Sequence, residues 1–240
     1  MITLSVIVPA YNEEKTIAQL LNKVKKVDLS KQNVRKEIIV ISDGSKDRTV
    51  ELAKKVRGVK VIDKQPNQGK GSAVRRGIQE AKGDIIIIQD ADLEYNPQDY
   101  SKVIEPILNG RALVVYGSRF LTLLKKNKKN SFIRKYKGAY TSAALGGRIV
   151  TIAANVIYGI KLTDEPTCYK CFKSSLIKSI EIDSDGFNWE PEVTAKIAKR
   201  KIKIHEVPIS YKPRTFEEGK KINWKDGIEA LWTLIRYKFK

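Results

Sequence analysis

The stretch Ile85-Ile86-Ile87-Ile88-Gln89-Asp90-Ala91-Asp92-Leu93-Glu94 decides the fold of this chain of 240 residues. Four consecutive isoleucines are typical of a strand buried on both faces, as at the centre of a parallel sheet. The strand runs directly into two carboxylates one residue apart, and a third follows at Glu94. Buried negative charge is costly unless a cation or hydrogen bonds compensate it. Because ligands of open α/β sheets bind at the carboxyl ends of strands, the stretch predicts a divalent-metal and phosphate site at a strand tip.

Three apolar runs before this strand repeat a pattern of strand, polar loop and helix. Strands are predicted at residues 4–8, 37–41 and 59–62, and apolar residues at helical spacing follow the polar loops. Four such rounds within about ninety residues predict a Rossmann-like α/β fold with a mostly parallel central sheet flanked by helices. Because every polar loop follows a strand, all of them should gather at one edge of the sheet, where a nucleotide would bind.

The second half of the chain has less regular patterns. A helix at 99–108, a strand at 112–117 and an alternating edge strand at 202–207 are predicted. Residues 139–160 are largely apolar, but Arg148 argues against a spanning helix and for one that lies in an interface or packs on the sheet. We expect no transmembrane helix, because no uninterrupted apolar run reaches about 18 residues. We also expect no signal peptide, because the N-terminus lacks a basic region.

The charge balance indicates an anionic partner. The chain has 46 basic and 27 acidic residues, a net charge of +19, and residues 120–138 contain seven basic residues and no acid. Nucleic acid, a nucleotide substrate and an anionic membrane would each suit the net charge, although a solvated loop also explains the basic run. Nucleic-acid binding is the remote alternative, since no nucleic-acid module is recognisable and the carboxylates would repel phosphate without a metal. Two cysteines without a disulfide framework fit a reducing compartment.

Five short motifs resemble, in order and spacing, those of the family 2 glycosyltransferases of the GT-A fold. They are VPAYNEE at 8–14, SDGSKD at 42–47, NQGKG at 67–71, DADLE at 90–94 and YGSRF at 116–120. The strings LTDEPTCYK at 162–170 and FNWEPE at 187–192 resemble those of dolichyl-phosphate mannose or glucose synthases. The resemblance implies one glycosyltransferase domain, residues 1–240. Its nucleotide-sugar-binding half would be 1–118, and its acceptor-binding half, with interfacial helices, 119–240.

The resemblance implies a sugar-nucleotide donor whose diphosphate is bridged to the protein by Mg²⁺ or Mn²⁺. The implied metal ligands are Asp90, Asp92 and Glu94, and their hard oxygen atoms suit these cations. Asp92 is also assigned a catalytic role, because the metal neutralises charge on the departing nucleoside diphosphate. The implied contacts to the nucleotide sugar are Pro9, Ala10, Tyr11, Glu13, Ser42, Asp43, Lys70, Asp90 and Ala91. Ser42 stands where the family usually has the first of two adjacent aspartates, which leaves the base preference open.

The acceptor determines which further residues the reaction needs. A polyprenyl or dolichyl phosphate is already ionised at neutral pH, since the second pKa of a phosphate monoester is about 6. The site would then need cations rather than a base, and Arg119, Arg134 and Arg214 are the expected phosphate ligands. A sugar hydroxyl as acceptor would require a base, for which Asp164 is the candidate. With a phosphate acceptor, Asp164 is instead expected to orient the donor sugar or to fix its loop. In both alternatives attack is direct, so inversion at the anomeric carbon is expected.

The expected activity is therefore transfer of a hexose from GDP-mannose or UDP-glucose to a polyprenyl or dolichyl phosphate. The basic run, residues 139–160 and the aromatic, lysine-rich C-terminus suggest an enzyme peripheral to the membrane on its cytoplasmic face. Either a membrane-anchoring partner or the basic surface itself would hold it there. The alternative is a soluble family 2 enzyme that acts on a saccharide or protein hydroxyl, which would need neither the basic run nor the apolar segment.

Overall fold

The computed structural model describes residues 1–121, 140–214 and 224–240. The four isoleucines form strand β4, Ile85–Ile88, and all four are buried, as predicted. On one side of β4 lie three parallel strands in the order β1 (Ile2–Ala10), β2 (Val34–Asp43) and β3 (Val59–Lys64). These strands are longer than the apolar runs predicted, because flanking residues, polar ones among them, continue the pairing at their ends.

On the other side of β4 the sheet continues with a reversed strand. This strand, β6 (Lys170–Lys173), is antiparallel to both β4 and β5 (Val114–Ser118). Strand β7 (Ile204–Pro208) pairs in parallel with β5 at the edge, where an edge strand was predicted. The order is β3-β2-β1-β4-β6-β5-β7. Six strands of this sheet therefore run in one direction, which confirms the mostly parallel α/β fold.

Helices cover the sheet and link its strands. In the described residues they are α1 (Ile17–Lys26), α2 (Thr49–Lys54), α3 (Lys70–Glu80), α4 (Tyr100–Leu108), α5 (Tyr140–Tyr158), α6 (Ser174–Lys178), α7 (Trp189–Lys199) and α8 (Trp224–Phe239). Helix α3 lies directly against β1, because a Cβ atom on Gly77 would come within 2.3 Å of Ile7 Cγ2. This contact fixes the N-terminus of α3 next to the carboxyl ends of the central strands.

Helices α5 and α8 pack side by side through a small core that includes Val150, Ala154 and Leu234. The Tyr158 hydroxyl donates to Leu234 O at 2.6 Å, and Lys238 Nζ donates to Ile157 O at 2.9 Å. These contacts hold the C-terminal part of α5 against α8. The helix predicted at 139–160 is confirmed. None of the helices in the described ranges is long and apolar enough to cross a membrane.

Candidate active site

The carboxyl ends of the parallel strands bring the polar motifs together at one edge of the sheet. Glu13 follows β1, Asp43 ends β2, Asp90 and Asp92 follow β4, and Arg119 follows β5. This edge is where the sequence predicts a nucleotide site, since all these strands point the same way. Pro9, Ala10 and Ala91 are buried at these tips, whereas Tyr11 is exposed at the rim.

The guanidinium of Arg214 lies among three carboxylates at this edge. Its Nη2 is 2.9 Å from Asp92 Oδ2, its Nη1 is 3.5 Å from Glu13 Oε2, and its Nε is 3.6 Å from Glu94 Oε1. The backbone N–H of Arg214 also donates to Glu94 Oε1 at 2.8 Å. The Tyr211 hydroxyl donates to the other oxygen of Glu94 at 2.6 Å. Arg214, expected to bind acceptor phosphate, therefore also contacts two of the three expected metal ligands.

Burial dominates the electrostatics of Asp92. The side chain is only 9% exposed, and burial together with the neighbouring carboxylates Asp90 and Glu94 raises its pKa to about 7. Arg214 opposes this shift. Burial lowers the pKa of Arg214, but the surrounding carboxylates, Asp92 first, outweigh it and leave that pKa above its ordinary value. The charged form of Asp92 is therefore disfavoured even beside Arg214.

Lys70 contacts the remaining carboxylate of the DADLE motif. Its Nζ lies 2.7 Å from Asp90 Oδ1 and 3.0 Å from Glu190 Oε1. Burial disfavours its charge, yet Asp90 and Glu190 raise its pKa well above the usual value. Helix α3, which begins at Lys70, can come close to the segment before α7 because residue 71 is glycine. A Cβ atom on Gly71 would lie 2.2 Å from Ser184 O. Glu190 was not predicted as a site residue, although it lies in the FNWEPE string.

The side chains of Asp43 and Ser42, at the end of β2, differ in how many hydrogen-bond partners they have. The Asp43 carboxylate accepts from Lys64 Nζ at 2.8 Å, from Asn67 Nδ2 at 2.9 Å and from the backbone N–H of Gly69 at 2.5 Å. It therefore shapes the loop that leads into α3. The Ser42 hydroxyl is fully buried and has no hydrogen-bond partner within the described part of the chain. Such an atom needs a partner, which a ligand could supply.

Arg119 and Asp164 form a two-point ion pair. Arg119 Nη2 lies 2.7 Å from Asp164 Oδ1, and Nε donates to Oδ2 at 2.8 Å. Asp164 is completely buried and also accepts from the Arg119 backbone N–H at 2.9 Å. The Arg119 guanidinium lies over the ring of Tyr211 at 5.1 Å from its centroid. Arg119 and Asp164, both predicted as site residues, therefore contact each other directly. Arg134, another predicted site residue, lies outside the described residues.

Tyr211 joins the two arginine clusters, and the sequence contained no signal for it. Its ring contacts the Arg119 guanidinium, and its hydroxyl binds Glu94, which in turn binds the Arg214 backbone. An isolated bridge with Tyr95 holds Tyr211 against the segment after β4. Arg119 and Arg214 therefore flank the same edge of the DADLE segment.

The donor atoms of the DADLE segment suit a divalent cation, although protein cations contact them here. Carboxylate oxygens are the ligands that Mg²⁺ and Mn²⁺ prefer. In the described ranges, no group of three or more acidic, histidine or cysteine side chains is arranged to hold an ion. Lys70 contacts Asp90, and Arg214 contacts Asp92 and Glu94. The residues fit a metal by their chemistry, provided that Arg214 moves.

A second surface of interest is formed by α5 and α8 and is apolar. Large apolar side chains spaced three or four residues apart point away from the protein on both helices. We call them the α5–α8 face: Leu145, Ile149, Ile152 and Val156 on α5, and Trp224, Ile228, Trp232, Ile235 and Phe239 on α8. Each of these side chains is at least 44% exposed. The face is rimmed by the exposed basic residues Arg148, Lys225, Arg236 and Lys238.

Comparison with known proteins identifies relatives. A family model described as Glycosyl transferase family 2 matches residues 5–179. The dolichol-phosphate mannosyltransferase of Pyrococcus furiosus is 33% identical over 219 residues, which cover 90% of this chain and 58% of that protein. The UDP-N-acetylglucosamine–dolichyl-phosphate N-acetylglucosaminyltransferase of Methanococcus voltae is 28% identical over 253 residues, 97% of this chain and 94% of that protein.

Among solved structures, glucosyl-3-phosphoglycerate synthase from Mycobacterium tuberculosis has the same fold. Its crystal structure with Mn²⁺, UDP-glucose and phosphoglyceric acid matches with a TM-score of 0.71 and 21% identity. The match covers 99% of this chain and 80% of that one. The shared fold confirms the GT-A architecture that the motifs implied.

Proposed function

Since the chain belongs to glycosyl transferase family 2, we propose that it moves a hexose from a nucleotide sugar to a polyprenyl or dolichyl phosphate. The observation that carries this proposal is that Arg119 and Arg214 flank Tyr211 beside the DADLE carboxylates. The carboxylates suit the metal-bound diphosphate of a donor. The two guanidinium groups suit a second phosphate, because both are positively charged and carry N–H donors. One site would thus hold two phosphorylated substrates.

The donor diphosphate would lie at the DADLE segment with Mg²⁺ or Mn²⁺. Within the described residues, four carboxylates (Asp90, Asp92, Glu94 and Glu190) contact two protein cations, Lys70 and Arg214. This deficit of positive charge favours a divalent ion at Asp90, Asp92 and Glu94. When bound, the ion would offset charge on the departing diphosphate. Lys70 would bind a diphosphate oxygen, since its ammonium already sits at Asp90.

The nucleoside would bind at the tips of β1 and β2. Tyr11 lies exposed at the rim, while Asp43 holds the loop of residues 67–69 in place. The unpartnered Ser42 hydroxyl supports a hydrogen bond to the base or ribose. Because a hydroxyl both donates and accepts, this position alone does not select between GDP-mannose and UDP-glucose.

The acceptor phosphate would bind Arg119 and Arg214, with Arg134 as a further predicted ligand. The names of the two relatives, which act on dolichyl phosphate, support such an acceptor. Asp164 supports it too, because this fully buried carboxylate has both its oxygens engaged by Arg119. We therefore propose that Asp164 positions the guanidinium rather than acting as a base. The ionised phosphate oxygen would attack directly, with inversion at the anomeric carbon.

The enzyme would rest on the cytoplasmic surface of a membrane through the α5–α8 face. Aromatic and aliphatic side chains on one face of a helix, with basic residues beside them, are typical of helices that lie in the interface of an anionic bilayer. The face has two tryptophans and a phenylalanine among its exposed residues. This placement would bring a lipid-borne phosphate and the sheet edge into one enzyme–membrane complex. A membrane-anchoring partner is an additional proposal, which the same face would serve.

A transfer assay tests the proposal. Labelled GDP-mannose, UDP-glucose and UDP-N-acetylglucosamine would each be offered with polyprenyl phosphate in anionic vesicles, with Mn²⁺ or with EDTA. We expect one donor to give a lipid-linked sugar of inverted configuration, and we expect EDTA to abolish it. The matched control is the same polyprenol without phosphate. Equal transfer to the alcohol, or transfer only to a free saccharide, would overturn the acceptor proposal, and undiminished transfer in EDTA would remove the metal.

A further inference from the structure

Two arginines at the site are held in opposite ways. Arg119 makes two short, parallel contacts to Asp164, at 2.7 and 2.8 Å, the fork geometry of a strong arginine–carboxylate pair. Among the described residues, Arg214 makes one short side-chain contact, 2.9 Å to Asp92, while its contacts to Glu13 and Glu94 are 3.5 and 3.6 Å. Its Nε is buried and has no hydrogen-bond partner among the described residues. The Arg214 guanidinium is thus placed by the sum of three negative charges rather than by a specific pairing.

The backbone of Arg214 is fixed more firmly than its side chain. The N–H of Arg214 donates to Glu94 Oε1 at 2.8 Å, and Lys212 N–H donates to Glu94 O at 2.9 Å. These bonds anchor the main chain at residues 212–214 to the DADLE segment. A rotation about the side-chain bonds would move the guanidinium off Asp92 without breaking either backbone contact. Because the backbone of Arg214 stays in place, its displaced guanidinium would still reach the edge of the sheet where the candidate active site lies.

We propose that Arg214 is the resident counterion of Asp92, which a divalent cation displaces when the donor binds. The inference rests on the metal site in the proposed function and goes beyond it. A divalent ion at Asp92 and Glu94 would take the oxygen atoms that the guanidinium contacts now, and two cations would not share them at close range. The displaced guanidinium would then be available to a phosphate oxygen. Arg214 would therefore couple the loading of the metal and donor to the binding of acceptor phosphate.

Binding of Mn²⁺ without any donor provides the direct test, with free Mn²⁺ measured by electron paramagnetic resonance. The variant Arg214→Ala removes the competing cation, so we expect its Mn²⁺ dissociation constant to fall about tenfold, a difference of about 1.4 kcal/mol. Lys212→Ala is the matched control, because it removes one exposed positive charge two residues away and should change affinity less than twofold. An unchanged or weaker affinity of Arg214→Ala for Mn²⁺ would overturn the inference.

The coupling has a second readout that does not depend on catalysis. In the unaltered protein, saturating Mn²⁺ and UDP should tighten binding of a short-chain prenyl phosphate several-fold, because they release Arg214. Arg214→Ala should bind that lipid weakly whether or not Mn²⁺ and UDP are present. If Arg214→Ala does not fold, Arg214→Lys replaces it, since one ammonium cannot contact all three carboxylates. Equal tightening in the variant would contradict the coupling.

The outcomes separate this inference from the proposed function. If the unaltered protein binds no Mn²⁺ even with saturating UDP, the proposed metal site is wrong, and so is the displacement of Arg214 by the metal. If the unaltered protein binds Mn²⁺ with UDP and Arg214→Ala binds Mn²⁺ equally well, only the displacement is wrong.

Discussion

The candidate active site at the strand tips and the α5–α8 face differ in the kind of side chain that they hold and in how it is stabilised. At the strand tips the reactive groups are charged and largely buried, and each carboxylate of the DADLE segment contacts a cation supplied by the protein. The α5–α8 face instead carries nine of the twelve large apolar side chains that are exposed in the described residues. Buried charges must be paired within the molecule, whereas an exposed apolar patch of this size is typical of a surface that meets something else.

This contrast separates the two tasks of the enzyme proposed above. The strand tips would bind small, highly charged substrates through charged side chains and a divalent ion. The α5–α8 face would bind a large apolar phase, for which no matching groups inside the protein are needed. Substitutions in one region should therefore leave the function of the other intact, and the following experiments test that independence.

The largest effect is expected at Asp92. Asp92→Asn keeps the shape of the side chain but removes the charge that the metal and Arg214 need, so turnover should fall by roughly 10³-fold. Binding to anionic vesicles should not change. Transfer assays and vesicle sedimentation on the same preparation measure both. Asp28→Asn, an exposed carboxylate between α1 and β2, is the matched control. Loss of vesicle binding in Asp92→Asn would show that the two regions are not independent.

A smaller and more selective effect is expected at Arg119. Arg119→Lys keeps the charge but loses the two-point contact with Asp164 that holds the guanidinium in place for a phosphate, so the KM for the acceptor should rise by about ten- to a hundredfold. The KM for the donor should stay the same. Initial-rate kinetics with each substrate varied in turn separate these effects, and the exposed Arg111→Lys serves as control.

Substitution of Asp164 distinguishes transfer to a phosphate, in which Asp164 positions Arg119, from transfer to a hydroxyl, in which Asp164 acts as a base. If it positions Arg119, Asp164→Asn should resemble Arg119→Lys, with its main effect on the acceptor KM. If it were the base for a hydroxyl acceptor, kcat would fall by 10²-fold or more while the acceptor KM changed little. That second pattern would favour the soluble alternative.

The α5–α8 face should show the reverse selectivity. Replacing both Trp224 and Trp232 by alanine removes two exposed aromatic anchors, each worth about 1.5–3 kcal/mol if fully buried in a bilayer. Partition onto anionic vesicles should weaken by at least tenfold, while UDP binding and thermal stability stay the same. Leu113→Ala, an exposed apolar residue away from both helices, is the control. Unchanged vesicle binding would mean that a protein partner or nothing covers this face.

The fold was largely predictable because its strands are local apolar runs. The four isoleucines and the three runs before them needed only short-range pattern to be recognised as strands of a parallel sheet. Strand β6 was missed, since it has four residues with lysines at both ends. Its place between β4 and β5 depends on pairing with strands that are distant in sequence, and Lys170 in it is buried where a lysine is usually exposed.

The site was predictable as a set of residues but not as a set of contacts. The motifs supplied the residues of the DADLE segment, Lys70 and the two described arginines. They did not predict that Lys70 meets Glu190 or that Arg214 meets Glu13, pairs 120 and 201 residues apart. Helical spacing of apolar residues on α8 is visible in the sequence as well, yet spacing does not tell whether that face is covered. Only tertiary packing decides which contacts form.

The smallest effect concerns Asp183, which ties α8 to the segment between α6 and α7. Its carboxylate accepts from Lys240 Nζ at 2.6 Å and from the Tyr237 hydroxyl at 2.8 Å, and these contacts, Lys240 first, hold its pKa well below the usual value. A lowered aspartate pKa adds stability above the ordinary pKa near 4, and that stability is lost as the pH falls further. Asp183→Asn should therefore lower the free energy of unfolding at pH 7 by less than about 1 kcal/mol, because this pair is near the surface. Its stability should also fall less between pH 5 and 3 than that of the unaltered protein, as urea unfolding at each pH would measure. An equally steep fall in the variant would show that this link does not hold α8, and that the helix pair is attached by its apolar core alone.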